Sequence, residues 1–445
     1  MTHTESSPAK VGRWLAARRH TWQWLVVAAL VVLEAVNLAN VWRITNHHDL
    51  DVFMLAAQRL VAGEDIYADA GPFQEAIVAG TFSMKDDSVV WPYMYPPLIA
   101  LLFVPTLGLP VAAVRIGWWI VNVACLLGGT WLCLRALGRV TPLRAVLALL
   151  VLWRFEPATV ALRLGQIEVL QYLLLAATLY ALSVGRERWA GVALGLATGL
   201  KFFPGALIVL LLWKKRWRAA GWAIGTAIVA IIGSFAAVGL DAIPTYWRYT
   251  AVYGIAGAFA AFPLNQSLNG FFSRNLVQNV FTATLKGLDL PGLARALTLA
   301  CDALVVAASA WLTWSHVRRG TACRAPTEGK PSECGASPAP TEGRRFELEY
   351  GLAVAALLLI SPHSQVYTFV WALIPLIVLG VRLLDEGTGW LRWALFVAAY
   401  ALLGRDVMVY LPGVTRFFQS HYMFGALLLW GLLGSALGIA RVRRT

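Results

Sequence analysis

Ten near-continuous apolar stretches run along this chain, at about 21–42, 116–134, 143–162, 167–184, 219–239, 292–314, 349–362, 366–384, 389–411 and 418–440. Several reach the roughly 20 residues that cross about 30 Å of hydrocarbon. Backbone in lipid finds no water to bond, so each stretch is expected to be helical. Composition points the same way, with 59% of residues hydrophobic and 14% charged, against about 25% charged in soluble domains. A water-soluble core of this size cannot hide the excess. Twenty Trp suit a membrane protein, because amphipathic rings collect at headgroup level. About twenty polar and basic residues precede the first apolar stretch, with no small-residue cleavage site after it. That stretch therefore reads as a retained span.

The net charge of +13 would suggest nucleic acid in a soluble protein. Here the Lys and Arg sit in short clusters between apolar stretches, the pattern of cytoplasmic membrane loops, and nucleic-acid binding is not expected. Cys125, Cys133 and Cys301 lie in apolar runs, and Cys323 and Cys334 lack ligand spacing, so neither disulfides nor zinc are expected. The clusters Arg135/Arg139/Arg144, Arg186/Arg188, 214–218, Arg318/Arg319 with Arg344/Arg345, and Arg441/Arg443/Arg444 all read as cytoplasmic. Both termini fall on that side.

Two apolar segments are broken. The 190–213 segment is interrupted at Lys201-Phe202-Phe203-Pro204 and has cytoplasmic clusters on both flanks, so a hairpin of two half-helices with Lys201 near its outward tip is expected. The 95–114 segment, broken by Pro105, Gly108 and Pro110, is expected to dip in and out from the outer side. An ordinary pair of full spans is the alternative at either place. Loops at about 43–94 and 240–290 fall outside. The loop at 316–348, rich in Gly, Pro, Ser, Thr and charge, reads as a flexible cytoplasmic linker. The chain thus divides into a tail at 1–20, a transmembrane module at 21–315, that linker, and C-terminal helices at 349–445. No internal repeat is evident.

Charged groups beside or within a bilayer are costly, so they usually face a cavity or serve function. The first outer loop opens with His47-His48-Asp49-Leu50-Asp51. Such carboxylates suit a general base for an acceptor hydroxyl; the plainer reading is an acidic N-cap on a helix starting near Val52. On the same expected side lie Gly165-Gln166 with Glu168 beyond, Lys201 alone among apolar residues, Asn265-Gln266-Ser267 followed by Arg274, and Ser361-Pro362-His363-Ser364-Gln365. Lys and Arg could hold a phosphate, and Asn and Gln could hold sugar hydroxyls. Singly, each has a structural reading: a snorkelling Lys, a turn, a helix-end His.

In order along about 49–375, these motifs resemble glycosyltransferase family 87, polyprenol-phosphate-mannose-dependent transferases of the GT-C superfamily. Asp49-Leu50-Asp51-Val52-Phe53 with Gly63 and Tyr67 resembles the family's opening motif, with its catalytic Asp on Asp49. Next come Tyr95-Pro96-Pro97-Leu98, then Gly165-Gln166 leading through Gly191 and Gly195 into Lys201-Phe202-Phe203-Pro204. Asn265-Gln266-Ser267-Leu268 with Arg274 follows, and Ser361-Pro362 with Pro375 closes the series. Members carry a His several residues after the Ser-Pro, where this chain has Tyr367 and Thr368; the nearby imidazole is His363.

The resemblance implies an all-α polytopic membrane protein of GT-C fold, with about 10–12 membrane helices, some half-length, and an active site on outer loops. It implies a bacterial inner-membrane enzyme that moves a sugar, with mannose the first candidate, from a polyprenyl-phosphate donor to a lipid or glycan acceptor. Inversion is expected, with no metal or other cofactor. Asp49 would be the base, Lys201 and Arg274 the phosphate ligands, and His363 an aid to the acceptor. Asp51, Tyr95, Gln166, Asn265, Gln266 and Tyr367 would line the sugar or acceptor site. A secondary transporter or lipid flippase is the rival class, for which paired broken helices in two related halves would be the signature. A non-catalytic scaffold would give no reason for acids and bases to gather at one face.

Overall fold

The computed structural model describes residues 8–79, 91–248, 258–279, 281, 289–314, 340–405 and 418–442. Among them, six helices are long and apolar enough to cross a membrane, or seven if one bent pair counts as a single span. Shorter apolar helices complete the bundle. The chain is an all-α polytopic membrane protein.

Helix α1 spans Pro8–Arg43, α2 His48–Ala62, α3 Ala70–Val78 and α4 Leu98–Phe103. Then come α5 at Val111–Ala136, α6 at Pro142–Leu152, α7 at Glu156–Leu164 and α8 at Glu168–Ser183. Helix α9 covers Glu187–Leu200, α10 Ala206–Trp213, α11 Trp217–Val238 and α12 Ala242–Tyr246. After these lie α13 at Leu268–Leu276, α14 at Pro291–Trp314 and α15 at Pro340–Ile360. A 3-10 stretch, Val366–Ala372, leads into α16 at Leu373–Glu386, and α17 at Trp390–Gly404 and α18 at His421–Val442 end the series.

The span Val366–Glu386 is 94% buried, whereas those of α1, α11 and α14 are 17–22% buried. It is therefore the axle of the bundle, and α1, α11 and α14 are its rim. Rim residues such as Val229, Leu304 and Trp311 face outward, where lipid would cover them.

The 190–213 segment folds back on itself. A β-carbon at Gly191 would lie 2.3 Å from the Ala219 carbonyl, one at Gly195 2.6 Å from the Ala223 carbonyl, and one at Gly199 2.6 Å from the Ala230 β-carbon. Contacts advance together on both helices, so α9 and α11 run parallel, and small residues at every fourth position let their backbones touch. The intervening α10 must return the chain. Arg216 accordingly meets Glu187 at 3.3 Å, so the start of α9 and the end of α10 lie together.

Residues 95–115 also turn back. Tyr95 packs on Phe53 and Arg115 pairs with Asp51, both near the start of α2, and Phe103 packs on Trp118 at 4.9 Å.

Three expectations need correction. Helix α2 starts at His48, not near Val52; His47 takes the preceding position at φ 55° with no side-chain cap, and Asp49 and Asp51 fall inside the first turn, where the helix dipole favours acids. The stretch at 143–162 is two helices bent by 61°, because Arg154 turns left-handed at φ 51° and Pro157 begins a new first turn. The linker at 316–348 ends early, since 340–348 already belong to α15; 315–339 lie outside the described residues.

The glycine contacts give a direct test. Gly191→Ala pushes a methyl into a backbone carbonyl, and such overpacking costs about 1–3 kcal/mol. Gly221→Ala, where a β-carbon meets nothing within 4 Å, serves as the control. Thermal unfolding in detergent should show a lowered midpoint for the first and not for the second.

Candidate active site

The site is built around a glycine. Gly165 ends α7 at φ 75°, a left-handed conformation that side chains resist. A β-carbon there would lie 2.8 Å from that of Leu50 in α2. The turn thus presses against the first turn of α2, and the neighbours of the two contact residues meet: Gln166 Nε2 donates to Asp49 Oδ2. The Trp118 indole N–H donates to the Gly165 carbonyl at 2.7 Å and fixes the turn from α5.

Tyr95 Oη donates to Gln166 Oε1 at 3.1 Å. The ring of Tyr95 packs edge-on against Phe53, and its hydroxyl hydrogen-bonds with Tyr367. Burial holds the phenol well above its usual range, with the charges of Glu168 and Asp49 adding to the effect, so it remains a neutral donor. The Lys201 ammonium sits 5.7 Å from the ring centres of both Tyr95 and Tyr367 and pairs with Glu168 at 2.7 Å. Lys201 tops α9 just where the helix breaks.

His363 lies in the turn between α15 and the axle. Its Nε2 accepts from the Gln365 amide at 2.6 Å, and its ring stacks on Phe259. Desolvation, helped by the Lys201 charge, pushes its pKa down to about 3. It is a neutral imidazole at any working pH, with its proton on Nδ1, which has no hydrogen-bond partner among the described residues.

Asp49, Tyr95, Gln166, Lys201 and Tyr367 therefore converge, and His363 bears on them through the Lys201 charge. Asn265, Gln266 and Arg274, expected to contact sugar and phosphate, stand one layer behind and are engaged in holding loops. Asn265 Nδ2 donates to the Ala260 and Pro362 carbonyls, and its Oδ1 accepts from Ser364 N at 3.1 Å. Gln266 Nε2 donates to the carbonyls of Pro263 and Gln419. Arg274 is 0% exposed, and its guanidinium donates to the Phe262 and Asn265 carbonyls and to Ser420 Oγ. Burial lowers its pKa to about 9. A guanidinium enclosed this way cannot reach a lipid phosphate without unpacking the loop. Polar residues were expected here for a ligand; irregular backbone consumes them instead.

Two partners went unassigned in the sequence. Arg115 pairs with Asp51 at 2.8 Å, and Glu168, 0% exposed, pairs with Lys201. A charged residue near the start of an apolar run was the available signal for each. The pairings also separate the two aspartates. Asp51 is neutralised by a guanidinium, whereas Asp49 is held by a neutral amide and by His48 Nδ1 at 3.4 Å, and its side chain is 21% exposed. Asp51 is the more exposed carboxylate, at 45%, and Asp49 is the one without a guanidinium partner.

The sequence profile of glycosyltransferase family 87 matches residues 93–327. The chain belongs to glycosyltransferase family 87. A polyprenol-phosphate-mannose-dependent alpha-(1-2)-phosphatidylinositol mannoside mannosyltransferase of Mycobacterium tuberculosis is 26% identical over 415 residues, 89% of this chain and 83% of that protein. A pentamannoside mannosyltransferase from the same species is 30% identical over 191 residues, 42% of this chain and 43% of that protein. An alpha-(1->3)-arabinofuranosyltransferase of that species is 31% identical over 156 residues, 34% of this chain and 35% of that protein. This family 87 member is a multi-pass membrane glycosyltransferase.

Two measurements probe the site. Lys201→Met leaves Glu168 buried without its cation, which costs about 3–5 kcal/mol; adding Glu168→Gln should restore the melting point but not transfer. The His48 pKa is raised above 6.5, chiefly by the hydrogen bond to Asp49. Below that raised value the imidazolium donates to Asp49 and occupies it; above it, Asp49 is released. Transfer should therefore rise with pH through a step above 6.5 that His48→Gln removes. Stability should run the other way, since a raised histidine stabilises at low pH and loses that contribution as pH climbs through its folded value.

Proposed function

We propose that this enzyme transfers one sugar, mannose first among candidates, from a polyprenyl-phosphate donor to a hydroxyl of a lipid-borne glycan by single displacement with inversion. The observation that carries the proposal is that Tyr95 joins both groups: its hydroxyl is linked through Gln166 to Asp49, and its ring centre lies 5.7 Å from Lys201 Nζ. Asp49 takes the acceptor proton as the acceptor oxygen attacks the anomeric carbon. The bond from that carbon to the phosphate oxygen breaks, and its electron pair leaves with the polyprenyl phosphate. Lys201 supplies positive charge where negative charge develops, turning from Glu168 to do so.

His363, held neutral, orients the acceptor through its Nδ1–H. Lysine provides the charge that a metal would otherwise supply, so we expect no metal requirement. The positive clusters between the spans support a reading with both termini in the cytoplasm and the site on the outer side of a bacterial inner membrane, where a lipid-borne donor can enter sideways. Mannose and an inositol-lipid mannoside acceptor are the first choices because relatives are named for them.

Incubation of purified protein with polyprenyl-phosphate mannose and an inner-membrane lipid extract, read by mass spectrometry, tests the assignment. Asp49→Asn keeps the shape and removes basicity, so turnover should fall about 10²–10⁴-fold, and Asp51→Asn should lose far less. Wild-type turnover by a folded Asp49→Asn protein would refute the base.

A further inference from the structure

Gln166 and Tyr95 look like sugar ligands in the sequence, yet their geometry gives them another task. Gln166 is 0% exposed, so no substrate hydroxyl reaches it. Both ends of its amide are engaged: Nε2 donates to Asp49 Oδ2, and Oε1 accepts from Tyr95 Oη. The carboxylate fixes this orientation. A flipped amide would face oxygen to oxygen against Asp49, and amide oxygen and nitrogen are otherwise assigned only from their partners.

The backbone beneath is clamped. Gln166 N donates to the Ala161 carbonyl at 2.9 Å, Gly165 abuts Leu50, and Trp118 holds the Gly165 carbonyl. Tyr95 is equally fixed: its carbonyl accepts from Tyr67 Oη at 2.9 Å, and Phe53 and Tyr93 flank its ring. The donors therefore point one way in series, from Tyr95 to Gln166 to Asp49, on elements with little freedom.

We infer that Gln166 and Tyr95 are positioning residues, a two-step chain of donors that pins Asp49 Oδ2 and leaves Oδ1, beside His48, as the oxygen that receives the acceptor proton. Series wiring has a consequence that substrate contacts lack. The hydrogen-bond route from Tyr95 to Asp49 runs through Gln166, so removing the second link takes away the orienting effect of the first. Polarisation along such chains strengthens each bond, and a carboxylate freed to rotate loses its alignment with the attacking oxygen.

This inference rests on Asp49 being the base, and the experiment separates the two. Initial rates with polyprenyl-phosphate mannose and lipid extract are measured for wild type, Gln166→Met, Tyr95→Phe and the double variant, and for Tyr95→Phe combined with Asp49→Asn. Gln166→Met should lower kcat about 10–100-fold, the scale of a base displaced by about 1 Å, with donor KM within about twofold. Tyr95→Phe should lower kcat less. The double variant should match Gln166→Met alone, a coupling that only interacting residues show. In the Asp49→Asn background, Tyr95→Phe should change the residual rate by less than about twofold. Raised KM with retained kcat, or single losses that multiply, would overturn the chain in favour of direct sugar contacts. If Gln166→Met does not fold, Tyr95→Phe in the two Asp49 backgrounds decides alone. Full turnover by Asp49→Asn would remove the base instead.

Discussion

Leu50 seated on the α-carbon of Gly165 is the contact from which the site follows. Leu50 is wholly buried, and Gly165 is the one residue type that combines a left-handed turn with that approach. Asp49 and Gln166 each lie one residue from this contact. Their separation is set by packing rather than by side-chain reach, because a close-packed interface transmits any change of volume. The same turn ends α7 and begins α8, so it also aims Glu168 toward the tip of α9. One glycine thus places the carboxylate, its amide partner and the counter-charge of Lys201.

Charge is distributed unevenly among the three acids of this region. Asp51 meets a guanidinium and Glu168 meets an ammonium, while Asp49 meets an amide and an imidazole. A cation beside a carboxylate satisfies it; a neutral donor orients it and leaves its charge available. Glu168 gives Lys201 a partner in a setting where an unpaired ammonium would be expensive. Glu168 Oε2 has no hydrogen bond among the described residues.

Much of the fold was legible because hydrocarbon imposes a simple rule on length and polarity. The break at Lys201-Phe202-Phe203-Pro204 and the basic flanks of 190–213 anticipated the reversal that Glu187 and Arg216 now close. The bend after Leu152 was hidden because Arg154 takes a left-handed conformation with no Gly or Asn to announce it. The start of α2 was hidden for the same reason at His47. The site was partly legible: Asp49, Lys201 and His363 stood out as ionisable groups among apolar ones, and Tyr95 links the first two, through Gln166 and through its ring. Asn265, Gln266 and Arg274 misled, since a side chain that satisfies irregular backbone has the same chemistry as one that binds a sugar or a phosphate. Glu168 was visible, but its partner lies on a different helix, and pairing across helices leaves no local trace.

The reversal between α9 and α10 bears on how the protein is made. Irregular backbone among membrane helices is tolerated only where protein or water covers it, and Lys201 stands where one such helix ends. One of its two aromatic walls, Tyr95, is synthesised before it; the other, Tyr367, comes from the last part of the chain. A chain that has α9 and α10 but not yet the axle therefore has the Glu168 partner and the Tyr95 wall of Lys201 and lacks the Tyr367 wall.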